Sequence, residues 1–146
     1  MADKNPLYFT EKEEHKIVEA IRDAENMTSG EIRVHISKNP DNGGLDAAKK
    51  VFADLHMHNT KYHNGVLLHI STGSKTFSIY GDEGIDKVVP DNFWESTRDI
   101  MQKHFADGNI VEGIRAGIQN VGVIMKEHFP LDVDDKNELS DEITYD

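Results

Sequence analysis

Gly65-Val66-Leu67-Leu68-His69-Ile70-Ser71-Thr72-Gly73-Ser74-Lys75-Thr76-Phe77-Ser78-Ile79-Tyr80-Gly81 is the stretch that decides the fold. Its first part, Gly65 to Ser71, is apolar on both faces, as a strand covered on both sides should be. Thr72-Gly73-Ser74 is a tight turn. From Thr76 to Gly81 the residues alternate, with Phe77 and Ile79 inward. Two such runs joined by a short turn make an antiparallel hairpin.

Upstream, Glu31 to Lys38 also alternates: Ile32, Val34 and Ile36 share one face, Arg33 and His35 the other. Between this strand and the hairpin lie the breakers Asn39-Pro40-Asp41-Asn42-Gly43-Gly44 and a helical stripe of Leu45, Ala48, Phe52 and Leu55. Two strands joined through a helix run parallel, with a right-handed crossover. With the three strands adjacent, Gly30-Glu31, His63-Asn64-Gly65 and Gly81-Asp82-Glu83 fall on one edge of the sheet, where two strands begin and the third ends. That edge collects Glu31, Asp82, Glu83 and Asp86, and Asn64 adds a neutral oxygen. A helix starting near Asp91 and the turn Asp107-Gly108-Asn109 are expected to close over it. Converging ionised carboxylates repel, and a hard cation relieves the repulsion. Calcium and magnesium favour such oxygen ligands. The competing explanation is a set of separate solvated carboxylates, with Asp82 and Asp91 as ordinary helix caps.

The flanks complete an α/β chain. Thr10-Glu11-Lys12-Glu13 is a capping box that opens a helix to about Asn26. Val89-Pro90-Asp91 starts another, lined by Phe93, Thr97, Ile100 and His104. After Asp107-Gly108-Asn109, the residues Ile110, Ile114, Ile118, Val121, Met125 and Phe129 form a long stripe. Gly113 and Gly117 on that helix point to close backbone packing. The division expected is an extension over 1–9, one domain over 10–130 and an acidic flexible tail over 131–146.

Lys and Arg total 16 against 27 Asp and Glu in 146 residues, a net charge of −11. This balance argues against nucleic acid and anionic membranes, and favours cations or a basic protein partner. The sequence has no signal peptide and no apolar run long enough for membrane insertion. It has no cysteine, which excludes disulfides and thiolate metal sites and fits a cytoplasmic setting. No phosphate-binding glycine loop, nucleophile elbow or EF-hand loop is present. His56, His58 and His63 lack the i, i+4 spacing of a helical ligand pair.

Several stretches, in this order and spacing, resemble the TPM domain family: Phe9-Thr10-Glu11, Thr28-Ser29-Gly30-Glu31-Ile32-Arg33-Val34, Asn64-Gly65-Val66-Leu67-Leu68-His69-Ile70, Phe77-Ser78-Ile79-Tyr80-Gly81-Asp82-Glu83-Gly84-Ile85, Val89-Pro90-Asp91, and Phe105-Ala106-Asp107-Gly108-Asn109-Ile110-Val111-Glu112-Gly113-Ile114. The resemblance runs from about Phe9 to Phe129. It implies a three-layer α/β/α sandwich around a small mixed sheet, and Ca2+ or Mg2+ binding at acidic loops. The implied ligands are Glu31, Asp82, Glu83 and Asp107, with Asp86 and Asp91 behind them. Relatives have been described as acid phosphatases or linked to membrane-complex repair and protein handling. This chain resembles the short bacterial versions, without a membrane segment. The expected role is a cation-binding, regulatory module; a metal-dependent phosphomonoesterase and an assembly factor are the alternatives. The phosphatase alternative has a weakness: no Arg or Lys sits inside the acidic motifs to hold phosphate oxygens.

Overall fold

The computed structural model describes residues 9–39, 45–72, 74–131 and 139–146. The first helix, α1 (Glu11–Glu25), has the expected reciprocal cap: Glu13 N–H donates to Thr10 Oγ1 at 3.2 Å, and Thr10 N–H to Glu13 Oε1 at 2.9 Å. Strand β1 (Glu31–Ser37) follows, then α2 (Asp46–Asp54), β2 (Gly65–Ser71) and β3 (Thr76–Gly81). A one-turn helix α3 (Glu83–Asp86), two long helices α4 (Glu95–Ala106) and α5 (Ile110–His128), and a short strand β4 (Thr144–Tyr145) complete the described elements.

The sheet order is β3-β2-β1-β4. Strands β1 and β2 are parallel, with Glu31 opposite Gly65 and His35 opposite His69. Strands β2 and β3 are antiparallel, with Val66 opposite Gly81. The parallel pairing of β1 with β2 and the β2–β3 hairpin therefore stand as the sequence reading expects.

One face of the sheet carries the main core. Ile32, Val34, Ile36, Val66, Leu68 and Ile79 meet Ile17 and Ile21 of α1, Met101 of α4 and Ile114, Ile118 and Met125 of α5. The other face carries a smaller cluster, in which Leu67 meets Ala48 and Phe52 of α2 and Met57 beyond it. These layers make an α/β/α sandwich. Alpha5 packs closely because three of its residues, Gly113, Gly117 and Gly122, lack a side chain. A Cβ on Gly117 would lie 2.6 Å from Met101, and one on Gly113 2.5 Å from Phe105. No helix among the described residues is long and apolar enough to cross a membrane.

Two expectations need correction. Alpha4 begins at Glu95, four residues beyond Asp91, so Asp91 caps no helix and lies exposed in the preceding turn. Pro90 fits this, since the turn 91–94 folds on its own hydrogen bonds, such as Phe93 N–H to Pro90 C=O at 3.1 Å. The second concerns the acidic segment after 131. Residues 132–138 lie outside the described residues, but 139–146 are no free appendage. They run along β1, with His35 opposite Thr144 and Ile36 opposite Tyr145 in parallel register. Ile143 and Tyr145 pack on the main core. As a result all seven residues of β1 are buried, including the face that carries Arg33 and His35.

Candidate functional site

The acidic end of the sheet is built by register. Glu31 lies opposite Gly65, and Asp82 N–H donates to Gly65 C=O at 2.9 Å, so Glu31, Gly65 and Asp82 form one row across three strands. Strand spacing puts the two acidic Cα atoms roughly 10 Å apart. Their side chains share the face that α2 covers, but they do not meet. A Cβ on Gly65 would lie 3.1 Å from the Met57 carbonyl and 3.7 Å from Met57 Cε, so Met57 fills the space between them.

On the β1 side of Met57, Glu31 is 2 % exposed and its Oε1 accepts the Leu139 N–H at 3.1 Å. On the β3 side, Asp82 is buried and caps α3, its Oδ1 accepting the Glu83 N–H at 2.8 Å. Its other oxygen, Oδ2, is buried without a hydrogen bond among the described residues, 3.7 Å from His63 Nδ1. Asn64, fully buried, points to the other face of the sheet from Gly65 and Asp82, where its amide donates to Ser29 Oγ at 3.3 Å. The loop carrying these residues is tied to α3 by Gly84 N–H donating to the His63 carbonyl at 2.9 Å. The approach is too close for a side chain at 84: a Cβ there would stand 2.3 Å from the Tyr62 carbonyl oxygen and 2.5 Å from that of His63. His63 itself takes the left-handed backbone, φ 50°, that turns the chain into β2.

Glu83 and Asp86 are exposed on α3. Their charge reaches inward: burial pushes the Tyr80 hydroxyl above its ordinary pKa, and Asp82, Asp86 and Glu83 push it further. Asp91 is at the same end, three residues before Trp94, whose ring packs where a Gly81 side chain would stand.

Asp107 is elsewhere, and its place in the acidic constellation is corrected. Gly108 and Ile110, on either side of the turn that follows it, line a cleft of about 870 Å³ with Ser71 and Thr72, at the opposite end of β2. Alpha4 carries the chain from the acidic end to that far end, so the turn after it cannot close over Asp82. Among the described residues, no three His, Cys, Asp or Glu side chains converge to hold a metal ion. The oxygens at Asp82 are instead its own carboxylate and the Tyr62 and His63 carbonyls that stand against Gly84. That is hard-oxygen chemistry suited to Ca2+ or Mg2+ and incomplete without further ligands.

Sequence reading missed a second cluster, around β1 and α1. Burial and a hydrogen bond with Asp141 push the Glu25 carboxyl up to about 10, while its Oε2 accepts the Ile32 N–H at 2.8 Å. His35 stacks on His69 with ring centroids 5.4 Å apart, and its ring nitrogens meet Thr144 Oγ1 at 2.7 Å and Asp146 Oδ2 at 3.0 Å. Asp146 is held below the usual carboxylate range by Ser37 and His35, with His69 adding to this, against the opposing effect of burial. The signal available was modest: Ile143-Thr144-Tyr145 is a β-favouring run inside an acidic one.

The TPM domain model matches residues 4–124. A solved structure, the NMR structure of BA42 protein from the psychrophilic bacterium Bizionia argentinensis, shares 45% identity over 98% of this chain and 99% of its own, with a TM-score of 0.91. The N-terminal domain of cg2496 protein from Corynebacterium glutamicum shares 12% identity over 84% of each chain, with a TM-score of 0.61, which is a likeness of fold alone. No curated protein matches.

Proposed function

Because the chain belongs to the TPM domain family, and because Asp82 buries an oxygen to which no group among the described residues donates a hydrogen bond, we propose that it is a divalent-cation-dependent binding module whose receptive surface is the acidic end of the sheet. Asp82 Oδ2, buried with no hydrogen bond among the described residues and only the long 3.7 Å approach of His63 Nδ1, is the observation that carries this reading. A buried carboxylate oxygen without a donor is costly, and a Ca2+ or Mg2+ ion is a natural partner for it. The Tyr62 and His63 carbonyls supply neutral oxygens, and Glu83 and Asp86 supply charge from α3. Protein ligands are too few to close the coordination shell, so positions remain for water or for an oxygen of a partner. That openness favours a regulated binding surface.

Glu31 enters this reading only if its contact with Leu139 is given up. Hydrolysis of phosphate esters has less support. Arg33 is committed to the β4 side, where its Nη2 donates to the Glu142 carbonyl at 3.4 Å, so it offers no clamp at Asp82.

The test is a titration of calcium, then magnesium, into chelator-stripped protein, followed by backbone amide shifts. Saturable shifts at Tyr62–Gly65 and Asp82–Asp86 are expected. The substitution Asp82→Asn keeps an oxygen for the α3 cap and removes the charge, and it is expected to weaken affinity at least tenfold. Shifts confined to Asp141–Asp146, or none, would overturn the assignment.

A further inference from the structure

Strand β1 would be an open edge without residues 139–146, and the way it holds them is unusual for a sheet edge. The two-residue ladder contributes little. Ile143 and Tyr145 pack on the core, and three buried side chains of β1 hold the rest: Glu31 accepts the Leu139 N–H at 3.1 Å, Arg33 donates to the Glu142 carbonyl at 3.4 Å, and His35 meets Thr144 and Asp146. Two of these contacts read main-chain groups, which any extended segment offers. The others read acid or hydroxyl. Arg22 Nε adds a pairing with Asp141 Oδ2 at 3.3 Å, and Asn39 Nδ2 one with Asp146 Oδ1 at 3.2 Å. In a chain of net charge −11, this groove sets Arg22, Arg33 and His35, together with the Glu25 carboxyl hydrogen-bonded to Asp141 and Glu14 bonded to the Tyr145 hydroxyl, opposite a segment whose charged residues, Asp141, Glu142 and Asp146, are all acidic.

Glu31, Arg33 and His35 are buried, whereas every residue from 139 to 146 is half-buried or exposed. A terminal segment with no fully buried residue, anchored by Ile143 and Tyr145, is among the first parts of a fold to open locally. Arg33 and Glu31, once uncovered, need replacement partners. We infer that the β1 edge is a strand-addition groove for an extended acidic segment of a partner protein, and that residues 139–146 occupy it in cis as a competitor. Main-chain pairing would supply affinity and the basic side chains the preference for acid, which is the logic of β-augmentation. The groove stands on the far side of Met57 from Asp82, so it stands or falls apart from the cation reading.

The probe is a labelled peptide of the sequence Leu-Ser-Asp-Glu-Ile-Thr-Tyr-Asp, titrated into the full chain and followed by anisotropy and amide shifts. The intact chain should bind weakly, because the tethered segment competes at high effective concentration. Thr144→Pro removes a strand N–H and the hydroxyl that meets His35. It is expected to raise peptide affinity at least tenfold, and Arg33→Gln added to it to lose that gain. A scrambled peptide of the same composition should bind at least tenfold more weakly than the ordered one. Should Thr144→Pro not fold, the intact chain decides. Excess peptide must then shift the Glu31–Ser37 amides and release those of Asp141–Asp146. Unmoved β1 amides, equal binding of the scrambled peptide, or no gain in a folded Thr144→Pro chain would overturn the inference.

Discussion

At the scale of single residues, burial converts ordinary acids into groups with very different tasks. Glu25 ends α1 with nothing in its neighbourhood of sequence to mark it, yet its carboxyl is pushed up to about 10, by burial first and by Asp141 next. The sign follows from proton counting. Above pH 4.5 the unfolded chain releases this proton while the folded chain keeps it, so stability falls as pH rises toward 10 and levels off beyond. Glu25→Gln retains an acceptor for the Ile32 N–H and a donor for Asp141. The variant should therefore match the parent near pH 4–5 and become increasingly more stable than it at pH 7 and 9, in urea-unfolding midpoints. A constant difference across pH would refute the assignment. Glu31 teaches the same lesson. Its position at a strand start was legible in the alternation of Ile32, Val34 and Ile36, but its burial under Leu139 was not, because the covering residue is 108 positions away.

At the scale of elements, close approaches of backbone separate glycines that look alike in sequence. Gly117 on α5 faces the side chain of Met101, and Gly84 on α3 faces the carbonyls of Tyr62 and His63. A flexible thioether can move aside, while carbonyls held by Gly84 N–H and the start of β2 cannot. Gly117→Ala should stay within about 1 kcal/mol of the parent, since helix propensity offsets the displaced Met101. Gly84→Ala should cost about 2–3 kcal/mol. Denaturant unfolding of both variants checks the order, and equal costs would show that the α3 junction yields. The packing role of Gly113 and Gly117 was legible, because a helix with a long apolar stripe has no other reason to tolerate them. Strand β4 was not: two ladder residues are shorter than any window in which alternation can be recognised.

At the scale of the whole molecule, direction explains both what the sequence revealed and what it hid. The helix between β1 and β2 and the turn between β2 and β3 fix the strand directions, and so bring Glu31, Gly65 and Asp82 into one row. The same reasoning, carried one element further, places Asp107. Alpha4 starts beside Trp94 at the acidic end, and its 12 residues span about 18 Å, close to the length of β2, so the turn after it must lie at the other end. The acidic end is thus smaller than the run of acidic residues implies, and a single carboxylate, Asp82, dominates it. This matters for the response of the whole chain to ions. Any added salt screens the repulsion of a molecule with net charge −11, so stabilisation by calcium alone says little. A site that binds only the folded chain adds about 2.7 kcal/mol when the ion stands at a hundred times its dissociation constant. Thermal unfolding in calcium should therefore exceed that in sodium chloride of matched ionic strength, and Asp82→Asn should abolish the excess while leaving the sodium chloride response unchanged. If both salts act alike on the parent chain, the charge is merely screened and Asp82 holds no ion.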